Sequence, residues 1–312
     1  MNRLYILSLG AILSAILITL ALAFIRRPWK ANSSGTARIL TIIASALGIL
    51  LLTAKRIISY LPQVAVKVQP KLPPEYLEWS FLLPLVIGMV AVIIVGFPSR
   101  GPNSKDRSAD LTPRTLKTFM PVPQVWGYLS VLAVTVLVAV AAGLASSRDD
   151  SGHYRYFTID AGDMSGSTTF YGWYYSVPTM LILTVFVLLT VIAMVLISKP
   201  PLPTDVSRES AIAARRLRIR NIIYLATGAI LIHLATIISW LENTAGLRLS
   251  SSPTRGSYYR TQAAFEPLTN LLPIADFIAF TAGFSLWLYV SISVMRSRKN
   301  KTPPAPQEAK VS

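Results

Sequence analysis

Several apolar runs of about 18 residues or more, with few or no charges, recur along this chain. A helix needs that length to cross a hydrocarbon core of ~30 Å at 1.5 Å per residue. The runs cover residues 4–25, 39–58, 81–97, 125–145, 173–198, 222–241 and 272–295. The second is the shortest unbroken one, Ile39–Ala54, and it extends toward Leu61 if Lys55 and Arg56 snorkel their charges to the surface. Composition agrees: the 312 residues are 53% hydrophobic and 14% charged, whereas soluble domains carry roughly 25% charged residues. The expected fold is an all-α membrane protein, a seven-helix transmembrane bundle occupying residues 1–298, with a disordered cytoplasmic tail at 299–312.

The formal net charge of +16 does not imply nucleic acid. Its positive residues sit in the short segments between apolar runs, which is how membrane topology is written into a sequence. With the N-terminus outside and the C-terminus cytoplasmic, the inner segments hold 20 Lys/Arg and the outer ones 10. Acidic residues divide the other way, five inside and eight outside, with Asp276 inside the seventh span. The first run has a basic start at Arg3 and an Ala21-Leu22-Ala23 stretch resembling a signal-peptide cleavage site. It is nevertheless longer than the ~7–15 apolar residues of a signal peptide. Cleavage would also leave every later loop on the side its charges disfavour. A retained first helix and a cell-membrane location are therefore expected.

After that lead helix, spans two to seven read as three helical hairpins. The returning helices begin alike, at Phe81-Leu-Leu-Pro84, Tyr175-Ser-Val-Pro178 and Asn270-Leu-Leu-Pro273, where proline is tolerated because the first helical N–H groups have no partner anyway. Shared physics accounts for this better than a triplicated unit. On the inner side, Arg208–Arg220 reads as a basic helix leading into span six, attracted to anionic headgroups.

In the second outer loop, Tyr154–Ile159 and Ser167–Tyr171 are rich in aromatic and β-branched residues, and Asp160–Gly166 between them is turn-forming. That pattern predicts a β-hairpin. Val64–Val68 in the first outer loop could add a strand, and the third, around Ser250–Pro253 and Gly256–Tyr259, reads as irregular.

Ionisable residues within hydrocarbon are costly and mark sites or structural pairs. His233 and Asp276 qualify, and Glu242 lies at the outer end of span six; these three are the candidate binding residues. If spans six and seven are neighbours, one water could bridge His233 and Asp276. The plainer expectation is that His233 bonds a backbone or hydroxyl group and that Asp276 caps the start of span seven, where the helix dipole favours a negative charge.

Asp149, Asp150, His153, Asp160 and Asp163 gather oxygen and nitrogen donors in one loop, but their spacing matches no calcium-loop pattern and no metal is expected. The absence of cysteine excludes disulfides and thiolate chemistry. Two histidines cannot ligate a bis-histidine haem pair, and no hydrolase, zincin or P-loop motif occurs. No cofactor is expected. The favoured functional class is a non-enzymatic accessory, scaffold or sensor subunit whose partners are the lipid bilayer and, through the outer loops, other membrane proteins. A transporter or channel for a small or lipidic solute comes next, then a membrane-embedded enzyme.

Overall fold

A computed structural model of the chain describes residues 3–25, 35–60, 73–96, 119–161, 164–199, 208–251 and 259–296. Its long helices are α1 (Arg3–Ile25), α2 (Gly35–Tyr60), α4 (Leu83–Gly96), α5 (Val122–Leu144), α6 (Trp173–Ser198), α7 (Arg208–Ala245) and α8 (Leu272–Met295). A short helix α3 (Pro74–Trp79) and a tight turn at Ser80–Leu82 lead into α4. Among the described residues five helices, α2, α5, α6, α7 and α8, are long and apolar enough to cross a membrane. Leu9–Ile25 and Ser80–Gly96 are shorter apolar stretches. The architecture is that of an all-α membrane protein carrying two small sheets.

Successive long helices run in opposite directions, which follows from the contacts at both ends of each. Arg56, near the C-terminal end of α2, meets Asp276, near the start of α8, while Arg38 at the other end of α2 reaches the Met295 carbonyl that ends α8. α1 lies parallel to α8: Thr281 donates to the Ala11 carbonyl, Ser285 to the Ala15 carbonyl and Arg296 to the Ala23 carbonyl. Ala11 and Ala15 are fully buried there, and small residues let two backbones approach where lipid offers no hydrophobic drive for helices to associate.

Helix α7 is the centre of the bundle, packed against α4, α5, α6 and α8. Its apolar window is 78% buried within the protein and that of α8 61%, against 28–33% for α2, α5 and α6, which leave most of their apolar surface open. α7 meets α8 where Gly228 faces Gly283; a β-carbon on Gly283 would lie 2.7 Å from the Gly228 carbonyl oxygen. The Trp287 ring, with no exposed surface, fills the space between Gly228 and Gly48 of α2.

Some sequence expectations change at this level. The second helix runs unbroken through Lys55 and Arg56 to Tyr60, but Arg56 does not snorkel: it is 5% exposed and turned into the bundle. Apolar periodicity could not show this, because the carboxylate that holds it lies on α8. The basic helix expected from Arg208 is present: α7 begins there, runs without a break into the apolar run at 222, and its 38 residues make a rod of ~57 Å. The third inter-helix loop on the sheet side is also not wholly irregular. Its ends pair as an antiparallel hairpin, β4 (Arg248–Ser251) with β5 (Tyr259–Gln262), and residues 252–258 lie outside the described set.

The hairpin in the preceding loop is present as β2 (Tyr154–Ala161) and β3 (Met164–Thr169), in register from Tyr156 opposite Thr169 to Ala161 opposite Met164. A two-residue strand β1 (Ser147–Arg148) pairs on its other edge. The strands reach further into the expected turn than composition suggests, and β3 stops before Phe170 and Tyr171, which instead pack inward. Pro178 lies inside α6 rather than at its start. The Val64–Val68 strand, Asp163 and the tail at 299–312 lie outside the described residues.

Candidate functional site

At the sheet-bearing end of the bundle, α2, α7 and α8 bring four polar side chains into the spanning region: Lys55, Arg56, His233 and Asp276. Arg56 forms a two-pronged ion pair with Asp276, Nη2 to Oδ2 at 2.7 Å and Nη1 to Oδ1 at 3.1 Å. The pair is nearly sealed, with 5% and 6% of the two side chains exposed. Two parallel N–H···O bonds fix orientation as well as charge. Beneath the guanidinium lies the Phe280 ring, 4.4 Å from its centroid, so one face of the cation rests on a π-cloud. Each charge also sits toward the end of its helix where the backbone dipole favours it, arginine near a C-terminus and aspartate near an N-terminus. The expected cap at the start of α8 is thus an interhelical ion pair.

His233 is fully buried, and its Nδ1 lies 3.0 Å from the Phe81 carbonyl oxygen. A carbonyl can only accept, so Nδ1 carries the proton and Nε2 the lone pair. Phe81 belongs to the tight turn before Pro84, whose ring nitrogen has no hydrogen; the histidine supplies a donor to a helix start that is short of one. The plainer reading of His233, a bond to backbone, is what the structure holds. Nε2 has no hydrogen-bond partner among the described residues. The two candidates share no hydrogen bond with each other, although α7 and α8 are neighbours. Glu242 is half-buried on α7, two residues past Trp240.

Lys55 was not singled out by the sequence as a site residue. Its Nζ lies 3.4 Å from the Thr236 hydroxyl, which itself donates to the Ile232 carbonyl. Thr236 stands three residues after His233, on the same face of α7. The usable signal was its position beside Arg56, two cations at the end of an apolar run.

Above these groups is a deck of aromatic rings. Phe81 meets Tyr171 and Tyr175 edge-on at 5.7 and 5.4 Å, and Trp240 lies 5.1 Å from Tyr175. Such tilted arrangements are the favourable ones for rings with negative faces and positive edges. The Tyr171 hydroxyl is bonded to Thr179 at 2.6 Å; burial raises the pKa of the phenol well above its usual value, and the Thr179 contact offsets this only in part. A second cluster, Phe157, Phe170 and Phe265, ties β2 to the segment before α8, with Phe157 and Phe265 4.9 Å apart.

No family model, curated protein or solved structure matches the chain. What the site can do is therefore read from its own atoms.

Of the loop acids, Asp149 is held by its neighbours, while Asp150 and Asp160 are exposed. Asp149 accepts from the Ser151 and His153 backbone N–H groups at 2.9 and 2.8 Å and from the Arg155 side chain. Burial pushes its carboxyl pKa up, but these donors together with the Arg155 charge outweigh it and leave the pKa below its ordinary value. The His153 ring lies tilted against Tyr174, 4.9 Å between centroids, with half of its side chain exposed. Arg155 also approaches Glu78 at 3.9 Å, which links β2 to α3.

The opposite end of the bundle has its own pattern. Each helix that ends there, α1, α4, α6 and α8, has a terminal carbonyl bonded by an arginine. Arg296 donates to Ala23, Arg218 to Val95 at 2.8 Å, Arg215 to Ser198 at 3.4 Å and Arg38 to Met295 at 2.8 Å. The last carbonyls of a helix lack intrahelical donors and form the negative end of its dipole, so cationic donors satisfy both needs.

Proposed function

We propose that the chain is a seven-span cell-membrane protein, N-terminus outside and C-terminus cytoplasmic, serving as a non-enzymatic accessory, scaffold or sensor subunit. The observation that carries the functional class is the use of the intramembrane polar groups. Arg56 and Asp276 neutralise each other across α2 and α8, and His233 holds the start of α4. These groups brace the bundle instead of converging as a nucleophile, base and oxyanion donor would. The aromatic deck and the small sheets above it form a braced surface suited to contact with another membrane protein.

The arginine collar supports the orientation. It puts the capping cations on the side that the 20-to-10 division of basic residues marks as cytoplasmic. The hydroxyl-lined contact of α1 with α8 supports a first helix that stays in the bundle. With α1 and the Ser80–Gly96 stretch added to the five long apolar helices, the count reaches seven.

The functional class is tested by purifying the tagged full-length chain from native membranes in mild detergent. A membrane protein recovered at fixed stoichiometry fits an accessory or scaffold role; a homogeneous chain carrying nothing but lipid contradicts it.

A further inference from the structure

The four polar groups at the sheet-bearing end do not balance. Arg56 is matched by Asp276, but the Lys55 ammonium meets only the neutral Thr236 hydroxyl among the described residues. An ammonium has three donors, and an unmatched charge at membrane depth is costly. One helical turn before Thr236, on the same face of α7, is His233. Its Nε2 is a fully buried acceptor without a partner among the described residues. The place therefore offers a cationic donor and a lone pair together. One group complements both: a phosphate oxygen for the ammonium and an O–H for the imidazole.

The surroundings favour a lipid as the source of that phosphate. Leu47 and Leu51 precede Lys55 at helical intervals of four, so the three share one face of α2. Both leucines are open to the surroundings, 48% and 44% exposed. An acyl chain lying along that stripe would bring its headgroup to Lys55.

We infer that Lys55, Thr236 and His233 form a binding site for the headgroup of a phospholipid carrying both phosphate and hydroxyl, of the phosphatidylglycerol type. The inference rests on the proposed topology only for which leaflet supplies the lipid; the binding itself does not depend on the partner or sensor role.

The test is native mass spectrometry of the full-length protein released from vesicles of equal parts phosphatidylglycerol and phosphatidylcholine. Wild type should retain phosphatidylglycerol preferentially. Lys55→Gln should lower that retention about fivefold, the ratio corresponding to ~1 kcal/mol for one basic residue near the headgroups, and Lys55→Arg should keep it. Lys199→Gln, at the opposite end, should leave it unchanged. Equal retention in wild type and Lys55→Gln, with both unfolding at the same temperature, overturns the site. If Lys55→Gln unfolds earlier, Thr236→Val and His233→Phe provide the reading: retention unchanged in both overturns the site, and reduced retention in either supports it. Inorganic phosphate added alone to detergent-solubilised protein separates the sources. Saturable phosphate binding that displaces phosphatidylglycerol overturns the lipid assignment, and no displacement supports it. A negative lipid result leaves the partner purification above unaffected, so the two failures are distinguishable.

Discussion

Arg56 and Asp276, 220 residues apart in sequence, meet through two hydrogen bonds of 3.1 and 2.7 Å inside the bundle. The pair fastens α2, near the start of the chain, to α8, near its end. Removing one member leaves the other as an uncompensated buried charge, which costs about 3–5 kcal/mol, whereas replacing both by apolar residues of similar volume is far milder. Asp276→Leu alone should therefore lower thermal stability in detergent sharply, and adding Arg56→Met should restore most of it. A double variant as unstable as the sum of the two singles would show that the pair has no mutual coupling.

The Trp287 ring makes a second, apolar fastening. A β-carbon on Gly48 would fall 1.9 Å from a ring carbon, and one on Gly228 would lie 2.5 Å from the ring and 2.7 Å from the Gly283 carbonyl. The ring is fully buried and has no room to retreat. Gly228→Ala should destabilise by about 1–3 kcal/mol, as overpacking does. Gly48→Ala should do the same but be relieved by Trp287→Leu, because its three nearest neighbours are all atoms of that ring. Thermal unfolding of the variants in one detergent makes the comparison.

These two fastenings differ in how far they could be read from sequence. The apolar runs locate the long helices because hydrocarbon thickness sets their length. The charge counts mark which ends carry the arginines. What pairs with Asp276, or fills the space beside Gly48, depends on which helices are neighbours, and no local period encodes that. Lys55 and Arg56 read as snorkelling cations for the same reason, since a cation near the end of an apolar run gives no sign of a carboxylate on another helix. His233 was legible as a suspect from its depth, but its Phe81 carbonyl was not. The third loop was read as irregular because Arg248–Ser251 and Tyr259–Gln262 lack the alternating apolar pattern of a half-buried strand.

The loop at Asp149 responds to acid. Its carboxyl pKa is below the ordinary value of 3.8 because it accepts three hydrogen bonds and pairs with Arg155. A depressed folded-state pKa contributes stability that is present above the unfolded value and lost as pH falls through the folded one. The β1–β2 connection should thus hold its structure at neutral pH and loosen only below about 4. Hydrogen exchange at the Ser151 and His153 amides should stay slow down to that range in wild type and be fast at neutral pH in Asp149→Asn. Equal protection in both proteins at neutral pH would contradict the assignment.

The arginine collar should contribute stability one helix end at a time. Arg218→Met leaves the Val95 carbonyl without its charged donor and should cost about 1.5–3 kcal/mol, in the range of hydrogen bonds to charged groups. Lys in its place should recover only part of that, having no planar fork to reach the carbonyl at a fixed angle. Melting temperatures of the two variants against wild type decide this; identical values would remove the collar's structural role.

The topology is the claim on which the rest of the account stands, and the absence of cysteine lets it be measured cleanly. Single cysteines at Ser33, Ser104, Ser151, Ser207, Ser252 and Ser312 can be probed in intact cells with a membrane-impermeant maleimide. Ser151→Cys and Ser252→Cys should label at once, and the other four only after permeabilisation. Labelling of Ser104→Cys and Ser151→Cys from the same side, or of Ser33→Cys in intact cells, would contradict seven crossings with the N-terminus outside.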